Sequence, residues 1–145
     1  MLEKSLLKII IITSLITGAI IGIIPLIPAF IWIAFLVIMF LIAPFIIIYL
    51  KQLKLIKEIT MEQSLVIGGV SGASAFLGFS VIYFPIAFIL QLIFKIQSFL
   101  WVKVIASNFG FLVAMVILIA LLCGLFNMFS AFLTSYIYEY FGQKK

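Results

Sequence analysis

The side chains able to do chemistry in this sequence are few and widely spaced. There is no His and no Asp, there are four glutamates (Glu3, Glu58, Glu62 and Glu139), and Cys123 is the single cysteine. General acid–base catalysis needs a titratable group held in a pocket, and a metal site wants clustered imidazole, thiolate or carboxylate ligands. Each of these glutamates instead stands at the edge of an apolar run, where it reads as a solvated partner for nearby lysines. Gly69, Ser71 and Ala73 fall where a Gly-x-Ser-x-Gly hydrolase elbow would place its residues, but the last glycine is missing and no His or Asp is present as base. The sequence therefore predicts no catalysis, no cofactor and no metal site. Cys123 cannot form an internal disulfide, and its setting gives it the role of a small apolar filler within a helix.

Neutral polar residues and small residues carry more information. Asn127, Ser130 and Thr134 share one helical face, so they either make an interhelical bond, the ordinary use of Asn in a membrane helix, or line a hydrophilic path. Ser64, Gly68, Ser71, Ala75 and Gly78 recur at alternating spacings of four and three, with Gly72 beside them. On a helix they predict a single seam where another backbone can approach closely. Ser14, Gly18 and Gly22 form a second small-xxx-small row. In water each glycine would cost about 1 kcal/mol relative to Ala. In a bilayer an unpaired backbone group costs several kcal/mol, so these stretches are expected to be helical with their small faces against protein. The rows Ala106, Gly110, Ala114 and Ala120, Gly124, Asn127, Ala131 are candidates to complement the seam.

The elements that must position these residues follow from composition. Of 145 residues, 68% are hydrophobic and 9% charged, against about 45–50% and about 25% in a soluble domain. The fold class expected is all-α: one polytopic membrane domain over 1–145 with four transmembrane helices and an interfacial amphipathic segment. The first span is 6–24, because its apolar run exceeds the 7–15 residues of a secretory signal core. Pro25 and Pro28 mark a tight turn, and 29–50 forms the second span, kinked at Pro44. The loop 51–63 carries Lys51, Lys54 and Lys57 at spacings of three among Leu and Ile, which predicts a short amphipathic helix at lipid headgroups. Thr60 and Gln63 match a capping box. The third span is 64–84, ending near Tyr83 because Pro85 suits the start of a new helix. Gln91, Lys95 and Ser98 share one face of an interfacial segment over 85–104, and the fourth span is 111–135 rather than a hairpin at Gly124–Asn127.

Four spans put seven lysines (Lys4, Lys8, Lys51, Lys54, Lys57, Lys144, Lys145) on one side and two (Lys95, Lys103) on the other. The positive-inside rule then predicts both termini in the cytoplasm of a bacterial inner membrane or plasma membrane. The net charge of +5 sits beside apolar runs, so it is expected to meet anionic lipid and no nucleic acid. The function expected is that of an accessory or assembly subunit, or a self-associating module, working through helix contacts. Its partners would be the bilayer and other transmembrane helices, in a homo-oligomer or a larger complex. The alternative is a passive channel or transporter for an uncharged or lipid-like solute. A membrane-perforating protein of the phage-holin type is a third class, suggested by size and the lysine tail alone.

Overall fold

The structure, a computed structural model, describes residues 3–56 and 59–142; Lys57, Glu58, Lys144 and Lys145 lie outside them. The described residues are all-helical. In order they form α1 (Lys4–Ile21), α2 (Ile31–Leu36), α3 (Ile42–Gln52), α4 (Met61–Phe94), α5 (Leu100–Ala106) and α6 (Phe109–Gly142). A wide π turn, Val37–Leu41, joins α2 to α3, so the two act as one interrupted span. Among the described residues four helical stretches are long and apolar enough to cross a membrane: Lys4–Leu26, Pro28–Gln52, Met61–Phe94 and Phe109–Tyr140. That is the makeup of a multi-pass membrane protein.

Local chemistry explains the element ends. After α1 the chain makes two short 3₁₀ turns, Ile24–Leu26 and Pro28–Phe30, with Pro25 second in the one and Pro28 first in the other. Ile27 between them is extended, as the residue before a proline must be. The start of α4 is a full capping box: the Thr60 hydroxyl accepts from Gln63 N–H, and the Gln63 side chain accepts from Thr60 N–H. Lys95 ends α4 in a left-handed conformation (φ 51°), its N–H donating to Gln91 C=O. Asn108 caps α6 by accepting from Phe111 N–H at 3.2 Å.

α4 is the hub, with α1 and α6 packed along it. Gly68 meets Asn127 and Met128 while Gly72 meets Cys123, so α6 runs antiparallel to α4. Gly18 meets Ala75 and Gly22 meets Phe79, a pairing that advances the same way along both chains and makes α1 parallel to α4. Along its second half α4 carries an aromatic ladder, Phe76, Phe79 and Tyr83, extended by Trp101 of α5 and flanked by Phe35 and Phe99. Such pairs add about 0.5–1.5 kcal/mol each beyond the area they bury.

Three expectations differ from what is found. The third helix does not stop near Tyr83 but continues through Pro85 to Phe94, about 51 Å in all. The proline costs only one rung, to Val81 C=O, and both residues face outward, Val81 being 70% exposed. Breaking the helix there would free several backbone groups at once. Gln91, Lys95 and Ser98 consequently share no face: Gln91 is buried on α4, Lys95 is the cap and Ser98 lies in a 3₁₀ turn. In the 51–63 loop Lys51 and Lys54 do not share a helix, because α3 ends at Gln52 and Lys54 turns left-handed (φ 56°), while Lys57 lies outside the described residues. The fourth helix does agree: it is continuous over Gly124–Asn127, with no hairpin there, and encloses 111–135.

Candidate functional site

Inside the bundle the densest set of polar contacts is built on Asn127. Pro44 has no N–H to offer Phe40 C=O, and the π turn immediately before it widens the backbone. Asn127 of α6 reaches across and inserts its carboxamide into the rung between Met39 and Ala43. Its Oδ1 accepts from Ala43 N–H at 2.9 Å, while its Nδ2 donates to Ile38 C=O at 2.7 Å and Met39 C=O at 2.9 Å. The same nitrogen also donates to Cys123 C=O one turn back at 2.9 Å. Asn127 is completely buried and every polar atom of its side chain is engaged. The backbone of α6 comes close enough for this because Gly68 and Gly72 of α4 offer no Cβ: one built on Gly72 would stand 2.5 Å from Cys123 O, and one on Gly68 would fall on Asn127 O.

The two polar residues on the same face of α6 do something else. Ser130 donates to Phe126 C=O at 3.2 Å and Thr134 to Ser130 C=O at 2.8 Å, both within their own helix. The three residues therefore do not meet as one polar group.

The small residues of α4 divide between two neighbours instead of forming a single seam. Gly68, Gly72 and the flanking Gly69 serve α6, where Gly124 sits over Gly69. Ala75 and Gly78 serve α1, against Gly18 and Leu15 respectively, with Gly22 packed on Phe79. The reason is angular: at about 100° per residue Gly72 and Gly78 point about 120° apart around the axis. Ser64 and Ser71 are buried with hydroxyls donated to carbonyls of their own helix, Met61 and Gly68, and Ser14 is buried without a partner. Of the candidate complementary rows, Ala120, Gly124, Asn127 and Ala131 are buried, whereas Gly110 and Ala114 are exposed.

Ser71 in mid-helix is no strand-to-helix elbow, and Glu3, Glu62 and Glu139 are exposed. Among the described residues no three His, Cys, Asp or Glu side chains gather in a way that would hold a metal. Lys51 places its ammonium 4.1 Å from the centre of the Tyr138 ring, and Lys54 is exposed.

No known protein family, curated protein or solved structure matches the chain.

The pairing of Pro44 with Asn127 is the feature that sequence reasoning missed. Both residues were visible separately, a lone internal proline in one span and a lone buried amide in another. The signal joining them is the complementarity of a missing rung with a side chain carrying both a donor and an acceptor.

Proposed function

We propose that this chain is an accessory or assembly subunit, or a self-associating module, that works through contacts between membrane helices. What supports the reading is how its polar groups are used. Asn127 is consumed by the backbone of the second span, and Ser130 and Thr134 by their own helix, so none of the three is left to line a solute path. The interior beside α4 is filled by aromatic rings. By contrast α6 has only 17% of its most apolar stretch buried, against 44% for α4, which leaves most of its surface for lipid or other helices.

In this reading the protein sits in a bacterial inner membrane or plasma membrane with both termini in the cytoplasm, on the strength of the lysine bias. The test is purification in mild detergent with mass measurement, followed by a liposome flux assay. A stable species heavier than the 16.3 kDa monomer and its detergent, with no solute flux, is the expected result. A strict monomer that passes a neutral solute, with flux abolished by Asn127→Leu, would establish the conduit class instead.

A further inference from the structure

The outward side of α6 carries a regular row of large side chains. Phe111, Leu118, Leu122, Leu125, Phe129 and Tyr136 are each 40–64% exposed and lie away from α4, with Leu125 about 160° around the axis from Asn127. The half-buried Met115 and Phe132 fill the two gaps, so the row alternates strictly by four and three from 111 to 136. These are the a and d places of a heptad repeat, which keep facing one neighbour when two helices wind left-handed around each other. The row closes at Tyr136, short of Glu139, so it contains no charge.

Length and area both favour protein over acyl chains as its cover. Phe109–Tyr140 has 32 residues, about 48 Å of helix against about 30 Å of hydrocarbon, whereas Lys4–Leu26 and Pro28–Gln52, with 23 and 25, come much nearer that thickness. α4 is as long, but it is shielded between α1 and α6. α6 carries its excess length on the outside of the bundle, where lipid must stretch or the helix must tilt. A second copy brings a helix of identical length, covers both ends at once and leaves the shorter spans at the rim. The six exposed side chains, at roughly 200 Å² apiece when free, offer about 700 Å² per copy, close to the about 800 Å² per partner of a stable interface. Two copies inserted the same way are related by a two-fold axis along the membrane normal, so the row meets itself. We infer that the outward row of α6 is a homodimer interface, with a second copy of this chain as its occupant. The inference rests on the self-associating form of the function proposed above and names its surface.

The test places single cysteines at one depth on two faces of the full chain. In a Cys123→Ala background, Leu118→Cys stands in the row, and Ile117→Cys, exposed to a similar degree, points about 100° away from it. Oxidation in membranes with copper phenanthroline is expected to join two chains through position 118 and at least about tenfold less through 117, because a disulfide needs its Cα atoms within about 7 Å. Phe129→Ala truncates an exposed side chain and should weaken the dimer at least about fivefold when dissociation is followed by dilution in mild detergent. Ile16→Ala, on the outward side of α1, should change nothing. Equal cross-linking from 117 and 118, or a dimer indifferent to Phe129→Ala, overturns this surface while self-association stands. Cross-linking from neither position means that acyl chains alone cover the face, which also overturns it. A wild-type chain that forms no dimer at any dilution but stays bound to a protein of different mass overturns the dimer and leaves the accessory role; a monomer with neither overturns both.

Discussion

Replacing Asn127 by Ala would leave Ala43 N–H, Ile38 C=O and Met39 C=O without the partner that now joins them across the helix pair. Interhelical hydrogen bonds in membranes average about 0.6 kcal/mol each, so three broken contacts set a floor of about 2 kcal/mol. Stranding buried groups costs about 1–3 kcal/mol apiece, which raises the expectation to about 4 kcal/mol once partial relaxation of the π turn is allowed. The coupling to Pro44 makes the reasoning sharper than the single loss. With Pro44→Ala, position 44 regains an N–H for Phe40 C=O and the ring no longer crowds the preceding turn. The π turn can then close to regular helix, Met39 and Ala43 pair with each other, and Asn127 loses its purpose. A double-mutant cycle followed by reversible unfolding in mixed micelles should give a coupling of at least about 1 kcal/mol, with Asn127→Ala much milder in the Pro44→Ala background. Ser130→Ala, which breaks only a bond within α6, is the control and should stay within about 0.5 kcal/mol. Strict additivity of the Pro44 and Asn127 changes would refute the account. So would a loss below about 0.5 kcal/mol for Asn127→Ala alone, since that is the noise between independent sites.

The remaining expectations concern packing, capping and orientation. Gly68→Ala drives a methyl into the backbone at Asn127 and Met128 and should cost about 1–3 kcal/mol in the same micelle assay. Gly110→Ala, with only the side chain of Asn108 near it, should be neutral or stabilising by up to about 1 kcal/mol. Thr60→Ala removes the reciprocal cap of α4 and should lower stability by about 1 kcal/mol, with Thr60→Ser largely restoring it. Cys123 is completely buried and should resist a maleimide in the folded protein, then react after unfolding in strong detergent; ready labelling of the native bundle would mean that α6 does not pack on α4 in this way. In a Cys123→Ala background, Lys95→Cys should label from outside intact cells, and labelling only after permeabilisation would reverse the proposed orientation.

The sequence made the spans legible because length and hydropathy alone decide them, and the turn at Pro25 and Pro28 because two prolines with nothing helical between them leave few options. What it did not settle was how each internal proline would be absorbed. Pro44 and Pro85 look alike in sequence, each flanked by apolar residues. At Pro44 the strain is met by a π turn and a side chain from a distant helix, 84 positions along the chain from the Ala43 it bonds. At Pro85 the helix runs on with its one free carbonyl on the outward face. Neither outcome is local, so local propensity could not separate them. The small residues of α4 show the same limit. Their spacing marks them for close approach but not for which neighbour, because the small residues, with Gly72 and Gly78 about 120° apart, cover an arc wide enough for two helices and nothing local assigns the halves.

That division of labour has a consequence for which parts of the bundle hold together. α1, α4 and α6 meet through backbones brought close by Gly18, Gly68, Gly72, Gly78 and Gly124, a contact made of many small dispersion terms and no single indispensable bond. The second span has no glycine at all and, besides Ala34 and Ala43, buries the branched side chains Ile38, Ile42, Ile46, Ile47 and Leu50. Lipid tails are as apolar as those side chains and offer them nearly the same environment, so burial in protein gives this span little preference over the bilayer. Its specific attachment is therefore the Asn127 carboxamide, with Lys51 on Tyr138 at the end of the same helix pair. Loss of Asn127 should release the span from α6 before the α1–α4–α6 trio separates, and hydrogen exchange should read faster exchange over 31–52 with protection of 68–80 retained.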